Sequence, residues 1–176
     1  GWYIMGLVQV ATNTVTSATA YVDLVGTTTD DVYMISIVGM TIDTDNRTPA
    51  LRVLASGSPK TTNYKGAHKN LYANAAFNVG YYQTASSTGN QMYISTNNGT
   101  GTGEALNGIL YLFNFNDSSS VSSVTYEMSV FDKDGRLAGR QGGGVNTTEE
   151  AHNGVRVFLD GTGNIDGGTF TLYKVV

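Results

Sequence analysis

Few residues in this chain could do covalent or metal chemistry, so each can be weighed in turn. Two histidines and no cysteine occur among 176 residues. Without cysteine there is no thiolate nucleophile, no disulfide and no Cys-based zinc site. His152 follows "TTEE", giving Glu149-x-x-His152. A metal site needs three or four converging ligands, so one Glu and one His read more simply as a solvated turn. "DTDN" (43–46) places Asp43 and Asp45 two apart, as at the start of a calcium loop. The Gly and the closing Glu that such a loop requires are missing, which leaves a polar hairpin loop. Ser56 and Ser58 in "ASGSPK" flank a glycine, but without the strand–turn–helix setting of a nucleophile elbow. "NNGTGTGE" runs into Glu104 and a strand, where a phosphate loop needs Lys and Ser/Thr opening a helix.

Paired carboxylates for glycoside hydrolysis would have to come from only 14 Asp and Glu residues. Most of them (Asp30, Asp31, Asp43, Asp45, Asp117, Asp132, Asp134, Asp160 and Asp166) fall in turn-forming stretches, where turn chemistry accounts for them. The expectation is a protein with no catalytic centre, no metal and no cofactor. Eleven Tyr and one Trp offer another kind of site. A flat apolar body with a polar tip suits stacking on a sugar ring, a subunit interface or ordinary core packing. Trp2, Tyr3, Tyr81 and Tyr82 are the candidates for interface or glycan contact.

The elements that would position these groups read as strands. In "SATAYVDLV" (17–25), Ala18, Ala20, Val22 and Leu24 share one face, with Tyr21 and Asp23 on the other. "DVYMISIVGM" (31–40) is apolar on both faces, and "PALRVLAS" (49–56) puts Arg52 outward if Leu51 and Val53 point in. "IMGLVQVA" (4–11), "FNVGYYQT" (77–84), "QMYIS" (91–95), "LNGILYLFNF" (106–115), "SVTYEMSVFD" (123–132), "GVRVFLD" (154–160) and "GTFTLYKVV" (168–176) bring the number to about ten. "KDGR" (133–136) is a hairpin signal, because Asp-Gly accepts positive φ. "STNNGTGTGE" (95–104) and "RQGGGVNTTEE" (140–150) read as longer loops. "GAHKNLYANAAF" (66–77) is the one helical candidate, with Leu71 stacked on Ala75 and Tyr72 on Ala76 for one or two turns.

Composition agrees. Gly is abundant at 22 residues, Pro scarce at 2, and charged residues make up only 14%. Many turns and short strands follow. A net charge of −4 gives no concentrated basic face for nucleic acid, and no run approaches the roughly 18 apolar residues of a membrane-spanning helix. The start, at Gly1 rather than Met, reads as the cut end of something longer. Residues 1–176 are therefore expected to form one all-β domain, a β-sandwich of jelly-roll type. Its closing strand should lie inside a sheet, because an unpaired edge invites aggregation. Phe170, Leu172, Tyr173 and Val175 then belong to the core or to a subunit interface.

The close of the chain, "NGVRVFLDGTGNIDGGTFTLYKVV", resembles the close of many tailed-bacteriophage virion proteins. The likeness rests on Gly154, Val155, Arg156, Val157 and Phe158, on Gly163, Asn164 and Ile165, and on Gly168, Thr169, Phe170, Leu172 and Tyr173. "VTSATAYVDLVGTTTDDVYMISIVGM" (15–40) is similar to their opening strands, with "DDVY" where they have a Tyr before the Asp. "LNGILYLFNFNDSSS" (106–120) resembles their central strand. The resemblance implies a non-enzymatic virion protein: a capsid decoration or cement protein, a head fibre, or a tail-fibre module. It would be assembled in the host cytoplasm and oligomeric, with a trimer favoured, against partners such as the major capsid protein. The alternative expectation is a receptor- or carbohydrate-binding module that meets a host surface glycan.

Overall fold

A computed structural model describes residues 6–73 and 78–176, with the backbone alone described for 78–88. Among the described residues there are thirteen strands and no helix. They are β1 (Leu7–Val15), β2 (Tyr21–Val25), β3 (Tyr33–Ile42), β4 (Thr48–Ala55), β5 (Ser58–Pro59), β6 (Tyr64–Tyr72), β7 (Asn78–Gly89), β8 (Met92–Tyr93), β9 (Leu106–Phe113), β10 (Val121–Phe131), β11 (Leu137–Glu149), β12 (Gly154–Asp160) and β13 (Ile165–Val175). An eight-stranded sheet runs β1-β13-β3-β9-β10-β11-β6-β7, and a five-stranded sheet runs β2-β12-β4-β5 with β8 also on β4. Every pairing is antiparallel. The two sheets form a β-sandwich.

Alternation builds the core. On β10, Ser122, Val124, Tyr126, Met128 and Val130 are buried while the residues between them are not. β3 buries Tyr33, Ile35 and Ile37, then changes phase to bury Met40 and Ile42. The change falls at a register shift between Ile37 and Met40, where Gly39 has φ +66°. Such a bulge re-aims the side chains that follow it. β13 lies between β1 and β3, as expected, with Phe170 and Leu172 fully buried.

Two sequence expectations are corrected. The helical candidate 66–77 is strand β6 as far as Tyr72, and residues 74–77 lie outside the described residues. Its true period is two: Tyr64 and His68 are buried and Leu71 is exposed. The loop expected at 140–150 is mostly β11, paired with β10 on one side and β6 on the other. Its Gly142 and Gly144 leave room that His68 and Met92 fill, since a Cβ at either position would press on those side chains.

Tyrosine hydroxyls join the sheets across this core. β5 and β8 each cover one end of the outer edge of β4 and leave Val53, which pairs with Val155 of β12 on its other side, without a strand partner on that edge. Tyr64 of β6 fills the gap: its hydroxyl accepts from Val53 N at 3.0 Å and donates to Lys60 O at 2.9 Å. Tyr126 of β10 donates to Tyr93 O at 2.8 Å. Burial pushes both phenols up to about 12.

Strand spacing sets the first prediction. A Cβ on Gly154 would overlap the Leu24 carbonyl and press on the Val25 backbone, whereas one on Gly6 meets nothing. Gly154→Ala should cost about 1–3 kcal/mol, read as a lower urea midpoint at unchanged slope, and Gly6→Ala should leave the midpoint in place.

Candidate functional site

Trp2 and Tyr3 lie outside the described residues. Tyr81 and Tyr82 lie on β7, where the backbone register sets Tyr81 opposite Lys69 and Tyr82 opposite His68. Their side chains also lie outside the described residues. What can be built into a site comes from the two outer faces of the sandwich and from one buried polar cluster.

The outer face of the large sheet carries a shallow open groove. Ile109, Tyr111, Thr125, Glu127 and Gln141 line it over Gly142. The register explains why they meet: Ile109 pairs with Glu127, Glu127 with Gln141, and Tyr111 with Thr125, whose other partner is Gly143. Where neighbouring strands present Tyr and Thr, β11 presents no side chain. Gln141 Nε2 donates to Glu127 Oε1 at 2.6 Å. The groove thus offers an apolar wall beside a carboxylate–amide pair. Further along the same face, Leu71, Phe131 and Leu137 are 41%, 44% and 53% exposed, an apolar patch with Phe131 and Leu137 directly opposite each other.

The outer face of the small sheet is closed by its own pairs. Arg156 donates through Nε and Nη2 to the two Asp23 carboxylate oxygens, each at 2.8 Å, and lies over the Tyr21 ring at 3.5 Å. Arg52 sits over Phe158 at 4.5 Å and donates to Asn90 O at 2.8 Å. It lies outward between the buried Leu51 and Val53, as the alternation predicts.

The cluster at His152 was not legible as a site. His152 is fully buried, so the expected solvated turn is corrected, and the acidic neighbour is Glu150 rather than Glu149. Its Nδ1 lies 2.7 Å from Ser122 Oγ, and its Nε2 lies 3.4 Å from Glu150 Oε1, which also pairs with Lys60 Nζ at 2.8 Å. Serine, histidine and glutamate are the residue types of a hydrolytic triad. Here Ser122 and His152 are both buried, and the set braces loops. His152 N donates to Phe115 O at 2.5 Å, and Thr27 Oγ1 donates to His152 O at 2.8 Å. The imidazole meets the Phe115 ring edge-on at 6.1 Å between centroids. Next to it, Asn153 O accepts from Gly26 N, and Asn153 N donates to Leu54 O. Three loops and an end of β4 are tied at one point.

The remaining sequence candidates take structural places. Asp43 of "DTDN" accepts from Asn164 N and Nδ2, both at 2.7 Å, which holds its carboxyl below the usual carboxylate range. Ser56 and Gly57 both have positive φ, as the two central residues of a tight hairpin between β4 and β5 require. Among the described residues no three His, Asp or Glu side chains converge as metal ligands do.

No family model matches the chain, and no curated protein matches it. Among solved structures, one titled "Structure of infectious bursal disease virus Gx strain" aligns at 6% identity and a TM-score of 0.14. The alignment covers 94% of this chain and 40% of that one. At that TM-score the likeness carries no argument.

The two histidines set a pH dependence. Burial, reinforced by the Arg140 charge, lowers His68 to about 4, and burial lowers His152 against the opposing pull of Glu150. The unfolded chain therefore binds these protons more readily than the fold does, near the ordinary histidine value of about 6.5. Stability is fully present above that pH and declines as pH falls toward about 4, the His68 value. Urea titrations between pH 7 and 4 should show this decline, and it should shrink in His68→Gln. Ser122→Ala, which leaves His152 Nδ1 without its 2.7 Å partner, should cost about 1–3 kcal/mol at pH 7.

Proposed function

We propose that this protein is a non-enzymatic structural component of a tailed-phage virion, decorating or stabilising the capsid or forming part of a fibre. The observation that carries the reading is the exposed apolar patch of Leu71, Phe131 and Leu137 on the outer face of an eight-stranded sheet. A broad sheet face with contiguous apolar side chains gains free energy when a neighbour covers it, at about 25 cal/mol per Å² of apolar surface. Copies arrayed on one particle add avidity to weak individual contacts. The role asks for burial of area and for no reaction, and the resemblance of residues 15–40, 106–120 and 153–176 to virion proteins supplies the setting.

A second reading, a glycan-binding module, is favoured by the groove over Gly142. Tyr111 and Ile109 would take the apolar face of a sugar ring, and the Glu127–Gln141 pair would take its hydroxyls. The register continues from Gln141 through Lys69 to Tyr81, so one of the tyrosines singled out in the sequence stands at the end of the same row of pairs, and Tyr82 falls in the neighbouring row opposite His68.

Gold-labelled antibody against this chain, imaged on purified particles, tests the first reading. Label over the head is expected of a decoration or head-fibre protein, and label at the tail tip of a fibre module. Washed particles that carry none would sink it. For the second reading, Tyr111→Ala and Tyr81→Ala should each weaken glycan binding by about tenfold, and unchanged binding in both would discard the groove.

A further inference from the structure

The large sheet ends on β1, and that edge has a chemistry of its own. All the ladder pairs of β1 are made with β13. Its other side meets no strand among the described residues. Leu7–Val15 contains no charged residue and no proline, two of the means by which an edge strand repels another. A register shift between Gln9 and Ala11 bends the first half of the strand. The second half, Ala11 to Val15, pairs without interruption, and Thr12, Asn13 and Thr14 are exposed.

That segment reads "ATNTV", nearly the same in both directions about Asn13. We propose that Ala11–Val15 pairs with the same segment of a second copy of this chain, antiparallel about a two-fold axis at Asn13, joining two large sheets into one. The register is fixed by the symmetry. Asn13 meets Asn13, each Thr12 faces Thr14 of the second copy, and each Ala11 faces Val15. Threonine opposite threonine is a favourable cross-strand pair, and no like charges meet. Within one copy the same hydroxyls are already ordered: Thr12 Oγ1 lies 3.0 Å from Thr171 Oγ1, and Thr14 Oγ1 lies 3.2 Å from Thr169 Oγ1. The pairing would extend these two contacts into a threonine ladder four strands wide. An interface of this kind is isologous and closes at two copies, which keeps an open edge from growing into a fibre. This inference rests on the edge alone and holds whether or not the protein belongs to a virion.

The absence of cysteine makes the test direct. Residues directly opposite in an antiparallel pair have Cα atoms about 4.5–5.5 Å apart, within the span of a disulfide. Asn13→Cys in the full chain should give a covalent dimer on mild oxidation at low micromolar concentration. Val38→Cys, also at an exposed position but in the middle of the sheet, should remain uncrosslinked under the same conditions. In sedimentation velocity the unmodified chain should show dimers. Asn13→Lys, which brings two ammonium groups together on the axis, should weaken them by about tenfold or more, while the urea midpoint, read at a concentration low enough for monomers, stays where it was. The proposal is overturned if Asn13→Cys crosslinks no faster than Val38→Cys. It is equally overturned if the unmodified chain stays monomeric, sediments as a trimer, or keeps its dimers in Asn13→Lys.

Discussion

The sandwich depends on one local deficit and its repair. β4 is edged by two short strands that do not meet, so Val53 would present a buried backbone N–H to nothing. An unsatisfied buried donor costs about 1–3 kcal/mol, more than the roughly 0.5–1.5 kcal/mol that a typical hydrogen bond contributes. The Tyr64 hydroxyl, carried by a strand of the opposite sheet, accepts the hydrogen bond from that N–H. Because the hydroxyl must reach one amide, it sets how β6 lies over β4. Tyr126 and the Tyr93 carbonyl repeat the device one layer along. Apolar burial drives the sheets together without direction, and these polar links give the packing a single register.

With the interior so constrained, the outside divides into surfaces of different character. The small sheet neutralises its own charges through Arg156 and Asp23 and stacks its arginines on Tyr21 and Phe158. The large sheet leaves apolar and hydroxyl side chains facing out beside the Glu127–Gln141 pair, and its first strand carries no charge. Surfaces of the first kind favour solvent. Those of the second are lowered in free energy by a neighbour, which is the surface character that the proposed structural role requires.

Much of the fold was legible wherever one face of a strand carries most of the apolar residues. β10 alternates in this way from Val124 to Val130, and the turn after it was readable from Asp134-Gly135. Gly135 indeed has φ +68°, and the Asp132 carboxylate accepts from Asp134 N and Arg136 N. The inward face of β11 is different: Ala138, Arg140, Gly142, Gly144 and Asn146 show no apolar period. The space above it is filled from elsewhere, by His68 and Met92. A strand whose core contribution is room for other side chains leaves no hydrophobic signature. β6 failed for a related reason, since its exposed Leu71 mimicked a helical stripe while the buried His68 went unread. Ser122 and His152 stand thirty residues apart, and Ser122 sits in a serine-rich run, so only the loop crossing could bring them together. The groove likewise exists through strand pairing, not through any contiguous motif.

The most direct measurement is amide hydrogen exchange at Val53 in Tyr64→Phe. Phenylalanine keeps the ring and its packing and removes only the oxygen that accepts from Val53 N at 3.0 Å. If the hydroxyl is what joins the sheets in register, the Val53 amide loses protection, and the variant is less stable by about 1–3 kcal/mol. A Val53 amide as slow as in the unmodified chain, with unchanged stability, would contradict the account and return the register of the sandwich to apolar packing alone.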